Sequence, residues 1–286
     1  MELVLTPQPG LSRVPGPRGG KGYWQLNGHR CSGVTTATSV IDKPGLKGWA
    51  AEMGRDAIRE QLDPYIERGE VIPRTTFEQA LAAAKDAHKW SSRKHKAGGT
   101  KVDEWVNDYV RARITKQSPP TVPGKNDPAL AAINSFLDWE AHADPTWVAC
   151  QHAAADPSTG IIGISDLWAI LKEGTVRRGF VLDAKATTGS KAWDEWQLQI
   201  SGNLAVAMLG RTLSGALAGD VETMARWIMG QTDKQPDCVV GRADICCQKE
   251  TGATAVLAET TTDLRDDWEN VLRAAGLRRR IPQQWD

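Results

Sequence analysis

The chain has 286 residues, of which 41% are hydrophobic, and its 35 lysine and arginine residues balance 35 aspartate and glutamate residues. This composition is typical of a folded globular protein, and the zero net charge excludes a purely electrostatic nucleic-acid binder of the histone type. No run of about 18 apolar residues occurs, so we expect no transmembrane helix and no membrane partner. The first residues lack the order of a secretory signal, and five cysteines do not indicate a disulfide framework. We therefore expect a cytoplasmic protein.

The amino-terminal half of the chain is predicted to be mostly helical. Residues 1–22 are rich in proline, glycine and arginine without a period, which predicts a flexible tail. The Asn27-Gly28 dipeptide then predicts a hairpin turn. Apolar residues at helical spacing predict a helical part over residues 43–142, in which one helix ends in the run SSRKHKAGG and a separate helix begins after Thr100.

From residue 146 the apolar pattern changes to a period of two, which is typical of strands. Three strands are predicted in TWVACQHAA, GIIGISDLWAIL and RRGFVLDAKAT, and with a helix ending near residue 209 they form a sheet core over 146–210. Two more strands and a last helix follow in 238–280. This order predicts an α/β (α+β) fold, with a central mixed β-sheet flanked by helices in a single domain over 23–286.

Three charged residues interrupt the apolar strands. Asp183 and Lys185 are two residues apart, so both side chains leave their strand on one face, and Asp166 lies in the preceding strand. A carboxylate in an apolar strand is costly unless it is paired or holds a metal ion. The two aspartates would hold a hard divalent cation, while the lysine would act on a water molecule or a phosphate. The alternative is a buried Asp–Lys ion pair with a structural role only.

The helix that follows carries polar residues beside an apolar stripe. Gln199 and Asn203 lie one turn apart, where they would face the strand residues, although a lone glutamine is more typical of a helix surface. Trp193 belongs to the stripe and is expected in the core, with stacking on a nucleic-acid base as the alternative.

Several motifs occur in an order that resembles the PD-(D/E)XK nuclease superfamily. They are Gly163-x-x-Asp166, then Asp183-x-Lys185 at the end of a hydrophobic strand, then Gln199 within QISGN. The segment SGVTTATSVIDKPGLKGWAAEM is similar to the opening of phage and prophage exonucleases, GTKVDEWVNDYV to their G-T-x-V-H helix, and LQISGNLAVA to their Q-L-x-x-Y motif. The resemblance covers about residues 32–199 and is nearest to the RecB-like and phage-exonuclease branch.

The resemblance implies a restriction-endonuclease-like core, a Mg²⁺ or Mn²⁺ cofactor and hydrolysis of phosphodiester bonds in DNA. Asp166 and Asp183 would hold the metal ion together with the Ala184 carbonyl. Lys185 would act on the attacking water or the scissile phosphate, and Gln199 would position DNA or the site. The implied role is an exonuclease of phage or prophage recombination or DNA end processing in the bacterial cytoplasm, with a recombinase partner or a homo-oligomer as possibilities.

Three positions depart from the family pattern. Asp103 stands where the family has a histidine ligand, at the edge of the buried stripe of its helix, and an aspartate is a competent ligand for Mg²⁺ or Mn²⁺. Gln151 replaces a glutamate, and Asn203 replaces the tyrosine of the last motif. The alternative to an active enzyme is therefore a catalytically degenerate nuclease-fold protein that binds DNA.

A basic run precedes Asp103. A charge run of this kind usually forms a solvated helix surface. The alternative is that it contacts DNA phosphates, through Arg93, Lys94, Lys96 and Lys101.

Some members of the resembled superfamily hold an iron–sulfur cluster with four cysteines. The candidates are Cys31, Cys238, Cys246 and Cys247. Because Cys246 and Cys247 are adjacent in a predicted strand, they point to opposite faces and do not suit one cluster. No iron–sulfur cluster is expected.

Overall fold

The computed structural model describes residues 3–16, 22–40, 44–174, 176–188, 193–215, 218–234 and 240–280. The chain forms two compact units, one of residues 1–41 with 102–286 and the other of residues 42–101. The single domain predicted over 23–286 stays a prediction.

The smaller unit is helical. It contains helix α2 (Pro44–Glu67) and the first part of helix α3 (Arg74–Thr115), whose later residues belong to the larger unit. The predicted break in SSRKHKAGG is wrong, since α3 is one helix of 42 residues. Lysine, arginine and alanine are good helix formers, and the periodic segments on both sides outweigh the roughly 1 kcal/mol that each glycine costs.

The amino-terminal segment is folded in its described part, so the flexible tail predicted for 1–22 is wrong for residues 3–16. Strand β1 (Leu3–Leu5) pairs with β9 (Leu213–Gly215), and β2 (Leu11–Val14) pairs with β3 (Tyr23–Leu26). The Gln8 side chain exchanges two hydrogen bonds with the Ala155 backbone, of 2.9 and 2.6 Å. Hydrogen bonds to β9 and to Ala155, which are distant in sequence, therefore order this segment despite its composition.

The predicted hairpin at Asn27-Gly28 is confirmed. It joins β3 to β4 (His29–Arg30), and both turn residues have positive φ, of 50° and 83°. Asparagine and glycine tolerate this region, which is why the dipeptide favours such a turn.

A mixed sheet forms the centre of the larger unit, as predicted. Its strands run in the order β11-β10-β8-β7-β5, with β6 also paired to β7. The pairs β8–β10 and β5–β7 are parallel, and the other pairs are antiparallel. The strand bounds are β5 Ser32–Gly33, β6 Thr146–Asp156, β7 Ile161–Glu173, β8 Val176–Thr187, β10 Val240–Gln248 and β11 Val256–Glu259.

Helices cover both faces of this sheet, which confirms the predicted α+β class. The core on one face joins the carboxyl-terminal part of α3 and helix α4 to the sheet, with Phe136 and Leu182 fully buried. The core on the other face joins the helices after β8, with Trp168 and Leu204 fully buried. The helix bounds are α1 Val34–Thr38, α4 Leu130–Ala143, α5 Asp194–Leu209, α6 Ala218–Ile228 and α7 Leu264–Arg280.

A buried ion pair links β10 to α5 and α7. Arg242 Nη1 donates to Asp267 Oδ2 at 3.0 Å and to Ser201 Oγ at 2.6 Å, and Thr262 Oγ1 donates to the same Asp267 oxygen at 2.7 Å. The Asp267 carboxylate, which also accepts from Ser201 Oγ at 2.6 Å, thus pairs with the buried Arg242 charge.

Among the described residues, no helix has both the length and the apolar character needed to cross a bilayer.

Candidate metal centre

Three carboxylates lie side by side on adjacent strands. The β7–β8 ladder ends with Leu167 opposite Leu182, so Asp166 and Asp183 are the next residues on the two strands. Strand β10 runs parallel to β8, with Asp244 directly opposite Asp183. The sheet thus brings together two residues that the sequence predicted and a third that it did not.

The predicted placement of Asp183 and Lys185 on one face is confirmed. Lys185 Nζ forms an ion pair with Asp183 Oδ2, whereas Leu182 and Ala184 pack into the core on the α3 and α4 side. The side chains of Asp183 and Lys185 therefore point toward the α5 side of the sheet. Ala184 lies two residues beyond Leu182, the last β8 residue of the β7–β8 ladder, and its role as a carbonyl ligand stays a prediction.

Lys185 is enclosed by both charge and an aromatic ring. Its Nζ lies 5.9 Å from the centre of the Trp196 ring on α5. Burial alone would lower the pKa of Lys185, but Asp183 and the other nearby carboxylates, Asp166 and Asp244, raise it above its ordinary value. The ammonium therefore stays charged.

Asp166 is held by a neighbouring strand residue. Gln151 Nε2 on β6 donates to Asp166 Oδ1 at 2.8 Å, and Gln151 itself has a φ of 55°, which is strained for a residue in a strand. Burial, and then the Asp183 charge, raise the pKa of Asp166 to about 9. Gln151 thus contacts a predicted metal ligand.

Asp103 approaches the same group from helix α3. It is half-buried while Glu104 is exposed, and Asn107 Nδ2 donates to Asp103 Oδ1 at 3.0 Å. Burial and then the Asp183 charge raise the pKa of Asp103. An aspartate aimed inward at this position is what the sequence led us to expect.

Asp244 is the residue that the sequence analysis missed. Its side chain is 0% exposed, and neither carboxylate oxygen has a hydrogen-bond partner among the described residues. Burial and then the Asp183 charge raise the pKa of Asp244 to about 7. The available signal was the aspartate in the apolar run CVVGRADICC, the same interruption that identified Asp166 and Asp183.

These oxygen atoms suit a hard cation in their chemistry. Asp183 Oδ1 is buried without a donor among the described residues, and a divalent ion would compensate its charge. Within the described ranges, no three acidic, histidine or cysteine side chains are already gathered closely enough to hold a metal ion. Asp183 Oδ2 is paired with Lys185 and Asp166 Oδ1 is bonded to Gln151, so one oxygen of each carboxylate is already engaged.

Helix α5 does not present its two polar residues in the same way. Asn203 Nδ2 donates to the Ile164 carbonyl on β7 at 3.1 Å, so Asn203 faces the sheet. The hydrogen bond of Gln199 goes to Glu195 of the same helix, at 3.3 Å, and not to the carboxylates. The role assigned to Gln199 stays a prediction, supported by its position one turn after Trp196.

Gly163 allows α5 to approach β7 next to Asp166. A Cβ atom at this position would lie 2.5 Å from Asn203 Oδ1 and 2.6 Å from Val206 Cγ2. We expect Gly163→Ala to lower the free energy of unfolding by about 1–3 kcal/mol, because the helix must move away from the strand. Urea unfolding measures this, with Gly276→Ala as the control, since no atom lies within 4 Å of a Cβ there. Equal stabilities for the two variants would contradict the prediction.

The predicted DNA-binding residues are only partly described. Lys101 is exposed on α3, whereas the side chains of Arg93, Lys94 and Lys96 lie outside the described residues. Their contact with phosphate stays a prediction.

The cysteine candidates are dispersed over the fold. Cys246 and Cys247 are consecutive buried residues of β10, and Cys31 packs in a separate cluster with Ile162. Cys238 lies outside the described residues.

A groove of about 670 Å³ runs along the hairpin and α1 toward β7. One part of it is lined by Tyr23, Arg30 and Thr36. Another part is lined by Asn203 and by Ile164, which precedes Asp166 by two residues. The Arg30 guanidinium lies 5.0 Å from the centre of the Tyr23 ring. A cation, an aromatic face and hydroxyl groups are the side chains that bind a nucleic-acid strand.

Comparison with known proteins found no matching family model and no matching curated protein. The functional assignment therefore depends on the chemistry of the site.

Proposed function

We propose that the protein is a Mg²⁺- or Mn²⁺-dependent deoxyribonuclease with a restriction-endonuclease-like core. It would act as an exonuclease on DNA ends in phage or prophage recombination or end processing. The observation that carries the proposal is the position of Asp166, Asp183 and Lys185 side by side where the β7–β8 ladder ends.

Each residue has a defined part in phosphodiester hydrolysis. Asp166, Asp183, the Ala184 carbonyl and Asp103 supply the oxygen ligands that Mg²⁺ and Mn²⁺ prefer. A metal ion held there would neutralise charge at the phosphate and lower the pKa of its water. Lys185 would hold the attacking water or a phosphate oxygen. As the bond from phosphorus to the water oxygen forms, the bond from phosphorus to the ester leaving oxygen would break, with the water losing a proton to solvent and the leaving oxygen gaining one.

A structural role for the Asp183–Lys185 ion pair is the competing interpretation, and their contact is compatible with it. An internal pair needs one carboxylate for one ammonium. Here Asp166, Asp244 and Asp103 are further acidic groups around Lys185, and burial and then the Asp183 charge raise the pKa of each of them. Groups whose pKa values are perturbed in this way cluster at functional sites.

A degenerate DNA-binding homologue is the second candidate. Gln151 stands where the family has a glutamate and occupies Asp166 Oδ1 with its amide. A protein of this kind would bind DNA without hydrolysing it in any divalent metal. A recombinase partner and a homo-oligomer stay predictions from the resemblance.

The test is cleavage of end-labelled linear duplex and single-stranded DNA in Mg²⁺, Mn²⁺ or EDTA, with covalently closed circular DNA as the control. We expect metal-dependent release of nucleotides from the linear DNA only. Cutting of the closed circle would identify an endonuclease. DNA binding without cleavage would identify the degenerate homologue. If the protein neither binds nor cleaves DNA, the structural role of the ion pair is the remaining interpretation.

Trp193 is the residue we expect to stack on a DNA base. It was predicted in the core, and this is wrong, because its side chain is 58% exposed and its ring packs edge-on against Trp196 at 6.4 Å. Since one base stack contributes about 1–3 kcal/mol, Trp193→Ala should weaken single-stranded DNA binding about 5- to 150-fold, and Trp193→Phe much less. Fluorescence anisotropy in Ca²⁺ measures this, with Phe77→Ala as an exposed aromatic control. Equal affinities for the Trp193 and Phe77 variants would contradict it.

A further inference from the structure

We propose that Asp244 is a positioning residue, the alternative partner of the Lys185 ammonium, which receives the lysine when Asp183 turns to a metal ion. This inference rests on the proposed function. It assigns a role to a carboxylate that the motifs do not contain.

Asp244 is buried without compensation. It lies opposite Asp183 in the parallel β8–β10 register, is 0% exposed, and has two carboxylate oxygens without hydrogen-bond partners among the described residues. Burying a carboxylate in this way is costly, and an apolar residue at this position would avoid the cost. The cost is understandable if a cation reaches Asp244 in another state of the protein.

The neighbouring cation on the same strand does not serve this purpose. Arg242 precedes Asp244 by two residues and shares its face, but its guanidinium bonds to Asp267 and Ser201. Lys185 is the described cation whose charge acts on Asp244. It lies opposite Cys246, two residues along β10 from Asp244, and a long side chain reaches such a diagonal neighbour.

Asp183 has two roles that compete. In the structure it holds Lys185 through Oδ2, while its Oδ1 has no partner among the described residues. In the proposed function the same carboxylate ligates a divalent cation, which repels the ammonium. Lys185 then needs another anion within its reach, and the oxygens of Asp244, which have no partner among the described residues, provide it.

The depth of Asp244 argues against a role as a metal ligand. Asp166 and Asp103 are half-buried, and Asp183 is 7% exposed, whereas Asp244 is 0% exposed. A cation that enters from solvent meets the first three carboxylates before Asp244.

The test is a double-mutant cycle on Mn²⁺ affinity, measured by calorimetry on the full chain. The four proteins are the unaltered chain, Asp244→Asn, Lys185→Met and the double variant. We expect Asp244→Asn to weaken Mn²⁺ binding about tenfold when Lys185 is present, because the displaced lysine has no second partner. In the Lys185→Met background the same change should alter the affinity less than twofold.

Each other outcome overturns the inference in a recognisable way. An equal loss of affinity in both backgrounds makes Asp244 a metal ligand, and no loss in either background removes its link to Lys185. Absence of Mn²⁺ binding by the unaltered chain refutes the proposed function and this inference with it. Asp156→Asn is the matched control, since Asp156 is buried at 2% exposure but bonded to Ser158 and Thr159.

Two further measurements guard against misfolding and a purely structural effect. Circular dichroism establishes that each variant is folded, and Asp244→Ser and Lys185→Gln replace any variant that is not. With Lys185 present, Asp244→Asn should lower kcat for DNA cleavage about tenfold at saturating Mn²⁺ and leave KM for DNA unchanged. A change confined to KM would contradict a role in positioning Lys185.

Discussion

Asp183→Asn and Lys185→Ala should each reduce metal-dependent DNA cleavage by about 100- to 1,000-fold or more. Asparagine keeps the shape of the Asp183 side chain but removes the charge that a divalent ion requires. Alanine at 185 removes the ammonium that stabilises charge on the phosphate, and one such electrostatic contact contributes about 3–4 kcal/mol to transition-state stabilisation. Initial rates on end-labelled linear DNA in Mg²⁺ measure the loss.

The matched control is a second Asp–Lys pair that is exposed to solvent. Lys172 Nζ lies 3.7 Å from Asp144 Oδ2, and both side chains are mostly exposed, so Lys172→Ala and Asp144→Asn should leave cleavage unchanged. Circular dichroism separates loss of activity from loss of folding, which matters because breaking a buried pair also destabilises a protein. Full activity in a folded Asp183 or Lys185 variant would refute the assigned site.

The metal-free protein should lose stability as the pH rises from about 4 to about 9. The pKa values of Asp244 and Asp166 are raised to about 7 and about 9 from an ordinary value of 3.8, largely because both carboxyl groups are buried. The folded state therefore keeps protons that the unfolded state releases, and each group lowers the free energy of unfolding by at most about 1.4 kcal/mol per pH unit within its window. For each aspartate, this loss of stability is complete above its pKa in the folded state and absent below its pKa in the unfolded state.

Urea unfolding in EDTA at about pH 5, pH 7 and pH 9 measures this slope. Asp166→Asn should flatten it, and a saturating concentration of Mg²⁺ should also flatten it, because a bound cation favours the ionised carboxylates. Asp156→Asn, a buried aspartate with hydroxyl donors, serves as the control. A slope that Asp166→Asn leaves unchanged would show that these carboxylates do not form a strained acidic cluster.

Local patterns were sufficient for most of the sheet and for one pair of site residues. Alternation identified β6, β7 and β8, and the spacing of two residues placed Asp183 and Lys185 on one face, because side-chain direction in a strand depends only on position. The Asn27-Gly28 turn was equally local, since two positive φ angles select these residues.

Where distant partners stabilise a segment, the local pattern misled. Residues 3–16 have the composition of a tail, but β1 pairs with β9 and Gln8 bonds to Ala155. The spacing of Trp193 fits the apolar stripe of α5, but Trp193 immediately precedes the first residue of the helix and its side chain is exposed. In both cases the outcome depends on which surface covers the residue, and composition does not contain that information.

The sequence by itself determined the α+β class, the strand that carries Asp183 and Lys185, and the expectation of Asp166 beside them. Only the tertiary structure decided that Gln151 bonds to Asp166 and that Asp244 lies opposite Asp183. The reason is physical: side-chain direction within a strand follows from its own residues, whereas the register between β8 and β10 depends on packing across more than 50 intervening residues. The acidic cluster exists because three strands meet in that register.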